Sequence, residues 1–82
     1  LSIDAALFES EEEKALYNFA SQLESIENKD FSNYIGTLLN NAATINQFFD
    51  NVIINADDEK LKNNRIALLK KLELSIDKMI NI

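Results

Sequence analysis

The feature that most constrains the fold is the stretch from Phe48 to Leu72, FFDNVIINADDEKLKNNRIALLKKL, where two apolar segments meet at a polar joint. Phe48, Phe49, Val52 and Ile53 follow the i, i+1, i+4, i+5 spacing of one helical face. Ile54-Asn55-Ala56 breaks that pattern, and Asp57-Asp58-Glu59 opens a new helix. Acids suit a helix start because its first N–H groups are unpaired and carry partial positive charge. Either Asp57 or Asp58 can supply the N-cap. Beyond it Leu61, Leu68, Leu72, Ile76 and Met79 recur at helical spacing. The joint is therefore a helix–loop–helix corner, with much of the apolar side-chain mass on either side.

The rest of the chain reads as helices feeding this corner. Asp4 caps a short lead-in turn that carries Leu7 and Phe8 toward the core. Ser10 with Glu13 forms a capping box, and Glu11 and Glu12 suit the first turn of a long helix. Leu16, Phe19, Leu23 and Ile26 make its buried stripe. Tyr17 falls off that stripe, which fits a partly exposed tyrosine better than one that stacks on a base. Glu27-Asn28-Lys29-Asp30 is a polar break, with Asp30 capping a second helix. Phe31, Ile35, Leu38 and Ala42 form its apolar face, with Tyr34 at the edge. Gly36 lies inside this helix at a cost of up to roughly 1 kcal/mol relative to alanine, and a close helix crossing is one reason to keep it. Thr44 is the expected cap of a third helix running from about Ile45 to Ile54, although a continuous or kinked second-to-third helix also fits. The fourth helix runs from Asp58 to about Ile80. The expected architecture is all-α, a single domain over residues 1–82 built as a bundle of four main helices with a short N-terminal lead-in.

Composition narrows the chemistry. The 82 residues include no proline and one glycine, which disfavours disorder and turn-rich β folds. There is no cysteine and no histidine, so the usual structural-zinc ligands and the commonest general base are missing. No Gly-rich phosphate loop, no signal peptide and no membrane-length apolar run is present. The stretch therefore reads as non-catalytic, with no membrane partner, and cysteine usage is compatible with the cytosol. The chain opens on Leu1 rather than Met, and we expect a piece of a longer protein.

A net charge of −6 argues at first against nucleic acid, but the charge is divided. Residues 1–30 carry eight acids (Asp4, Glu9, Glu11, Glu12, Glu13, Glu24, Glu27, Asp30) against Lys14 and Lys29. Lys60, Lys62, Arg65, Lys70 and Lys71 are followed by no acid before Leu72. Local field matters more than the sum. Arg65 falls on the leucine stripe of the fourth helix, where an unpaired charge costs several kcal/mol. It needs a carboxylate or helix-end carbonyls, and Asp50, one turn before the end of the third helix, is the expected salt-bridge partner. An RNA contact is the less favoured role for Arg65.

Phe48-Phe49-Asp50, Ala56-Asp57-Asp58 and Asn64-Arg65-Ile66-Ala67-Leu68-Leu69 together resemble the C-terminal anticodon-binding domain of the bacterial glycyl-tRNA synthetase β subunit. That domain belongs to the wider DALR-type helical anticodon-binding group. The likeness continues upstream through Ile3-Asp4-Ala5-Ala6-Leu7-Phe8 and Glu13-Lys14-Ala15-Leu16 and covers essentially the whole chain. Where family members often carry proline between the second and third helices, this chain has Ala43-Thr44.

The resemblance implies a tRNA-binding module of a cytoplasmic enzyme, with glycine tRNA, the remainder of the β subunit and the α subunit as partners, and no DNA. ATP and magnesium are implied for the full enzyme, and no cofactor for this stretch. It also gives the lysines of the fourth helix a role, since an anticodon stem is held through its phosphates. Lys60, Lys62, Lys70 and Lys71 are the phosphate candidates, while Asn63 and Asn64 are candidates for reading exposed bases. Lys60, Lys71 and Lys78 share one flank, with Lys62 and Lys70 pointing elsewhere. The acidic residues 9–13 are expected to face away from this surface. A non-catalytic protein-interaction bundle is the competing reading, and a stand-alone enzyme the weakest.

Overall fold

The computed structural model describes residues 2–27 and 29–80, the last two by their backbone only. A 3-10 turn at Ala5–Leu7 is followed by four helices: α1 Glu11–Ser25, α2 Phe31–Asn40, α3 Ala42–Asn51 and α4 Glu59–Ile80. There is no strand among the described residues. The all-α bundle is as expected from the spacing of apolar residues.

Each expected cap but one is present. Asp4 accepts the Ala6 N–H, Ser10 accepts from Glu13 N–H, and Asp30 accepts from Asn33 N–H. Of the two acids before α4, Asp58 does the capping: its carboxylate accepts the Lys60 N–H at 2.8 Å and its carbonyl the Lys62 N–H at 2.9 Å. Thr44 is the exception. α3 begins earlier, at Ala42, because Asn41 alone makes the turn between α2 and α3. The Asn41 amide donates to the Thr37 carbonyl at 2.9 Å, satisfying one of the carbonyls that a helix end leaves free. The outcome is a kinked pair of helices, and α3 closes at Asn51, short of Ile54.

α1 and α4 form the spine. Leu16, Phe19, Leu23 and Ile26 are all buried, as their spacing implies, and they meet Leu68 and Leu72 of α4 together with Phe48 and Val52. Leu61 and Ile76 are half-buried, and the expected place of Met79 lies outside the described side chains. The buried face of α4 is wider than the leucine stripe: Asn64, Ala67 and Ser75 are buried too, Asn64 against the lead-in and Ser75 against α1. Ser75 donates to the Ala20 carbonyl at 3.2 Å across that contact. Small side chains here let the two longest helices approach.

α2 faces differently from its expected orientation. Tyr34 and Thr37 are buried and Leu38 is half-buried, whereas Phe31 and Ile35 are exposed. Phe49 and Ile53 are likewise exposed beside the buried Phe48 and Val52, so only half of that apolar set enters the core. Nothing approaches within 4 Å of where a Cβ would stand on Gly36, so this glycine serves no close helix crossing. The turn from α1 to α2 passes through Lys29 at φ 84°, a left-handed backbone.

Candidate nucleic-acid interface

Arg65 is the centre from which the surrounding geometry is set. It is 7% exposed, and its partners are Glu9, Glu13 and the Ile53 carbonyl; Asp50 is not among them. Nη2 meets Glu9 Oε1 at 3.0 Å, and Nε meets Glu13 Oε2 at 3.4 Å. Nη1 donates to the Ile53 carbonyl at 2.7 Å. The expected Asp50–Arg65 bridge is thus replaced by acids from the start of α1. The physical reason is the capping box. Glu13 folds back to accept the Ser10 hydroxyl at 3.0 Å and the Glu9 N–H at 3.1 Å, which aims its carboxylate inward at the α4 stripe. Glu13 is fully buried, and a buried carboxylate demands a cation. Arg65 still grips the joint, through a backbone carbonyl instead of a carboxylate. The acids at 9–13 accordingly do not all face away, since two of them close on α4.

The other α4 candidates divide into spent and free groups. Asn64 is 4% exposed, and its amide bonds to the backbone of Asp4 twice, accepting from N–H at 2.7 Å and donating to C=O at 3.1 Å. It ties the lead-in to α4 and has no edge left for a base. Lys71 reaches Glu24 at 2.9 Å and lies 5.2 Å from the centre of the Tyr17 ring. Lys78 donates to the Glu24 and Ile26 carbonyls at the end of α1, a favourable place for a cation. These two lysines and Asn64 fasten α4 to the rest of the bundle.

Lys60, Lys62, Asn63 and Lys70 remain. Neither Lys60 nor Lys62 forms an ion pair among the described residues, and Asn63 is exposed. Lys70 pairs with Glu73 at 3.3 Å, but both are open to solvent, where such pairs are weak and yield to competing charge. Lys62 and Lys70 lie on one i, i+4 row with Ile66 and Leu74. A shallow groove of about 680 Å³ runs beside this row, lined by Tyr17, Ile66, Lys70, Lys71 and Leu74 among others. Sequence reasoning missed Ile66 and Leu74; their repeat with Lys62 and Lys70 at four-residue spacing is the signal that marks them. Tyr17, half-buried, rests against Phe8 at 5.7 Å between ring centroids.

The fold is an all-helical bundle whose longest helix, α4, carries the lysine row. The chain belongs to the DALR anticodon binding domain family, which it matches over residues 1–82. Among its relatives is a protein of Streptococcus agalactiae named glycine–tRNA ligase β subunit, 44% identical over 72 residues, covering 88% of this chain and 10% of the relative. A protein of the same name from a Sulfurihydrogenibium species is 43% identical, covering 87% of this chain and 11% of its own length. In Rickettsia africae the corresponding figures are 33%, 94% and 12%. The chain therefore spans a small part of the length of these curated relatives. No solved structure matches it.

Proposed function

We propose that this chain is the tRNA-binding module of a glycine–tRNA ligase β subunit, engaging the anticodon stem–loop of glycine tRNA. The observation that carries the reading is the match to an anticodon-binding family along the entire chain, with relatives named glycine–tRNA ligase β subunit. The module itself performs no chemistry. Glycine, ATP and magnesium belong to the full enzyme, with the α subunit as partner, in the cytoplasm. No helix among the described residues is long and apolar enough to cross a membrane, which is compatible with that setting.

The geometry supports a smaller RNA surface than the six residues expected from sequence. Lys60, Lys62 and Lys70 are the phosphate-binding group, and Asn63 is the one amide of the pair free to meet a base. With few cations unspent, affinity should be modest and strongly dependent on salt. The test is tRNA binding by the full-length subunit as salt is raised. Replacing Lys60, Lys62 and Lys70 by Gln should weaken binding to all tRNA sequences and lessen the salt slope by roughly one for each phosphate no longer neutralised. An unchanged slope would put the RNA surface elsewhere. Asn63→Ala should alter discrimination between native and altered anticodons in glycylation, leaving the salt slope unmoved. Glycine-dependent pyrophosphate exchange by the 82-residue chain alone would overturn the non-catalytic reading.

A further inference from the structure

Between Asp30 and Asp50 the sequence contains no charged residue, in a chain that is 27% charged overall. That interval is α2, the Asn41 turn and most of α3. Along α2, Phe31, Ile35 and Leu39 stand at i, i+4 and i+8 and are 46%, 51% and 74% exposed. Single exposed apolar residues are ordinary, but three large ones aligned on an uncharged helix make a continuous apolar strip. α2 holds to the bundle by the adjoining side, through Tyr34, Thr37 and Leu38.

The chemistry of the strip selects its occupant. RNA is disfavoured because no lysine or arginine lies anywhere on α2 or α3 to meet a phosphate. A protein surface is favoured, since apolar strips without charge at their centre are what buried interface cores are made of. The curated relatives carry this span as 10–12% of a much longer polypeptide, so the remainder of such a subunit is tethered to it in cis. Tethering raises effective concentration enough for a strip of this size to stay covered.

We infer that the Phe31–Ile35–Leu39 face of α2 docks on the remainder of the ligase subunit's own chain and so fixes where the RNA-binding row of α4 points. The inference rests on reading the chain as part of a β subunit. It assigns the two faces different work: α4 meets tRNA, and α2 meets protein.

Hydroxyl-radical footprinting of side chains tests it, comparing the 82-residue chain with the full-length subunit. In the short chain Phe31, Ile35 and Leu39 should react as readily as Leu74, which is 55% exposed on α4. In the full-length subunit the three α2 residues should become severalfold less reactive while Leu74 does not. Equal reactivity in both proteins overturns the inference. Protection that grows with concentration of the short chain would assign the strip to a second copy instead. Protection that appears only on adding glycine tRNA would assign it to nucleic acid. Either of these results overturns the proposal too. As a second measurement, Ile35→Asp with Leu39→Asp in the full-length subunit should speed proteolytic release of the domain severalfold while leaving the melting of the 82-residue chain nearly unchanged. Release at the wild-type rate overturns the docking. The lysine-row experiment fails or succeeds separately from these, so loss of the tRNA reading and loss of the docking are told apart.

Discussion

The two halves of this bundle handle polarity in opposite ways. The α1–α4 pair is rich in charge and buries some of it, with Glu13 and Arg65 inside the fold. The α2–α3 pair has almost no charge and leaves large apolar groups outside, Phe31, Ile35, Leu39 and Phe49 among them. Burying an ion pair adds little net stability over an apolar core, but it fixes one arrangement, because a misplaced partner leaves a bare charge. Arg65 fixes three segments at once: Glu9 and Glu13 of the α1 start, the Ile53 carbonyl of the joint, and α4 itself. The cations that do this work are withdrawn from RNA. Under the proposed function, Lys60, Lys62 and Lys70 are what is left for a phosphate, so the charged half both builds the platform and limits its reach.

The largest effect should come from breaking that clamp. Arg65→Ala leaves Glu13 buried without its cation and the Ile53 carbonyl without its donor, and should cost roughly 3–5 kcal/mol in urea denaturation. Asp50→Ala should cost almost nothing, since Asp50 is exposed and holds no ion pair among the described residues. If the two variants were equally destabilised, the clamp would be misassigned. Glu13→Gln separates the two tasks of that residue: an amide still serves the cap but no longer neutralises Arg65, so it should fall between the other two.

Asn64→Ala comes next. It removes both bonds to the Asp4 backbone and should cost about 1 kcal/mol, modest because Asp4 is exposed and its groups regain water. Asn64→Asp keeps the acceptor for the Asp4 N–H but sets an unpaired carboxylate at a 4% exposed position against the Asp4 carbonyl, and should cost more. Neither should change discrimination among anticodons. A change there without a loss of stability would return Asn64 to the RNA surface and weaken the division between platform and row.

These contrasts also mark what was legible before the fold was seen. α1 and α4 were readable because charges flank their apolar stripes and show which side meets water: Leu16, Phe19, Leu23 and Leu68 are all buried. α2 was not, since without charge two overlapping stripes compete, and Tyr34 with Leu38 won the core over Phe31 with Ile35. The need of Arg65 for carboxylates and helix-end carbonyls followed from its place in the stripe. The acceptors' identity did not, because Glu13 lies 52 residues away and only tertiary packing brings it close. The resemblance supplied the RNA reading, while the removal of Asn64 and Lys71 from it depended on contacts with Asp4, Glu24 and Tyr17 that no local pattern encodes.

Tyr34 offers a test from the uncharged half. It is buried, and its hydroxyl meets no hydrogen-bond partner among the described residues. Burial first, and the Asp77 carboxylate second, hold its pKa above the ordinary 10.0. The folded state therefore prefers the neutral phenol. That contribution is fully present below about pH 10 and is lost as pH rises through the raised folded value. Tyr34→Phe should be as stable as the native chain or up to about 1 kcal/mol more stable at neutral pH, because it removes an unsatisfied hydroxyl. The variant's advantage should widen above about pH 10, where only the native chain has a phenol to ionise. Denaturation midpoints across that range check the sign; a variant that loses stability would mean the hydroxyl is bonded after all.

The smallest expected effect concerns Gly36, and it asks whether α2 is held loosely for a reason. Glycine inside a helix loses more backbone entropy on folding than alanine, by roughly 0.5–1 kcal/mol. Nothing stands within 4 Å of the added methyl, so Gly36→Ala meets no clash that would offset the gain. The 82-residue chain should therefore gain about that amount in urea denaturation. On a helix wheel Gly36 lies beside the exposed Phe31–Ile35–Leu39 strip and away from Tyr34 and Leu38. A methyl there adds bulk at the edge of the docking face without touching the bundle core. Stabilisation of the short chain, with proteolytic release from the full-length subunit unchanged, would confine the docking face to the three-residue strip. Faster release, with the same gain in the short chain, would extend that face to Gly36.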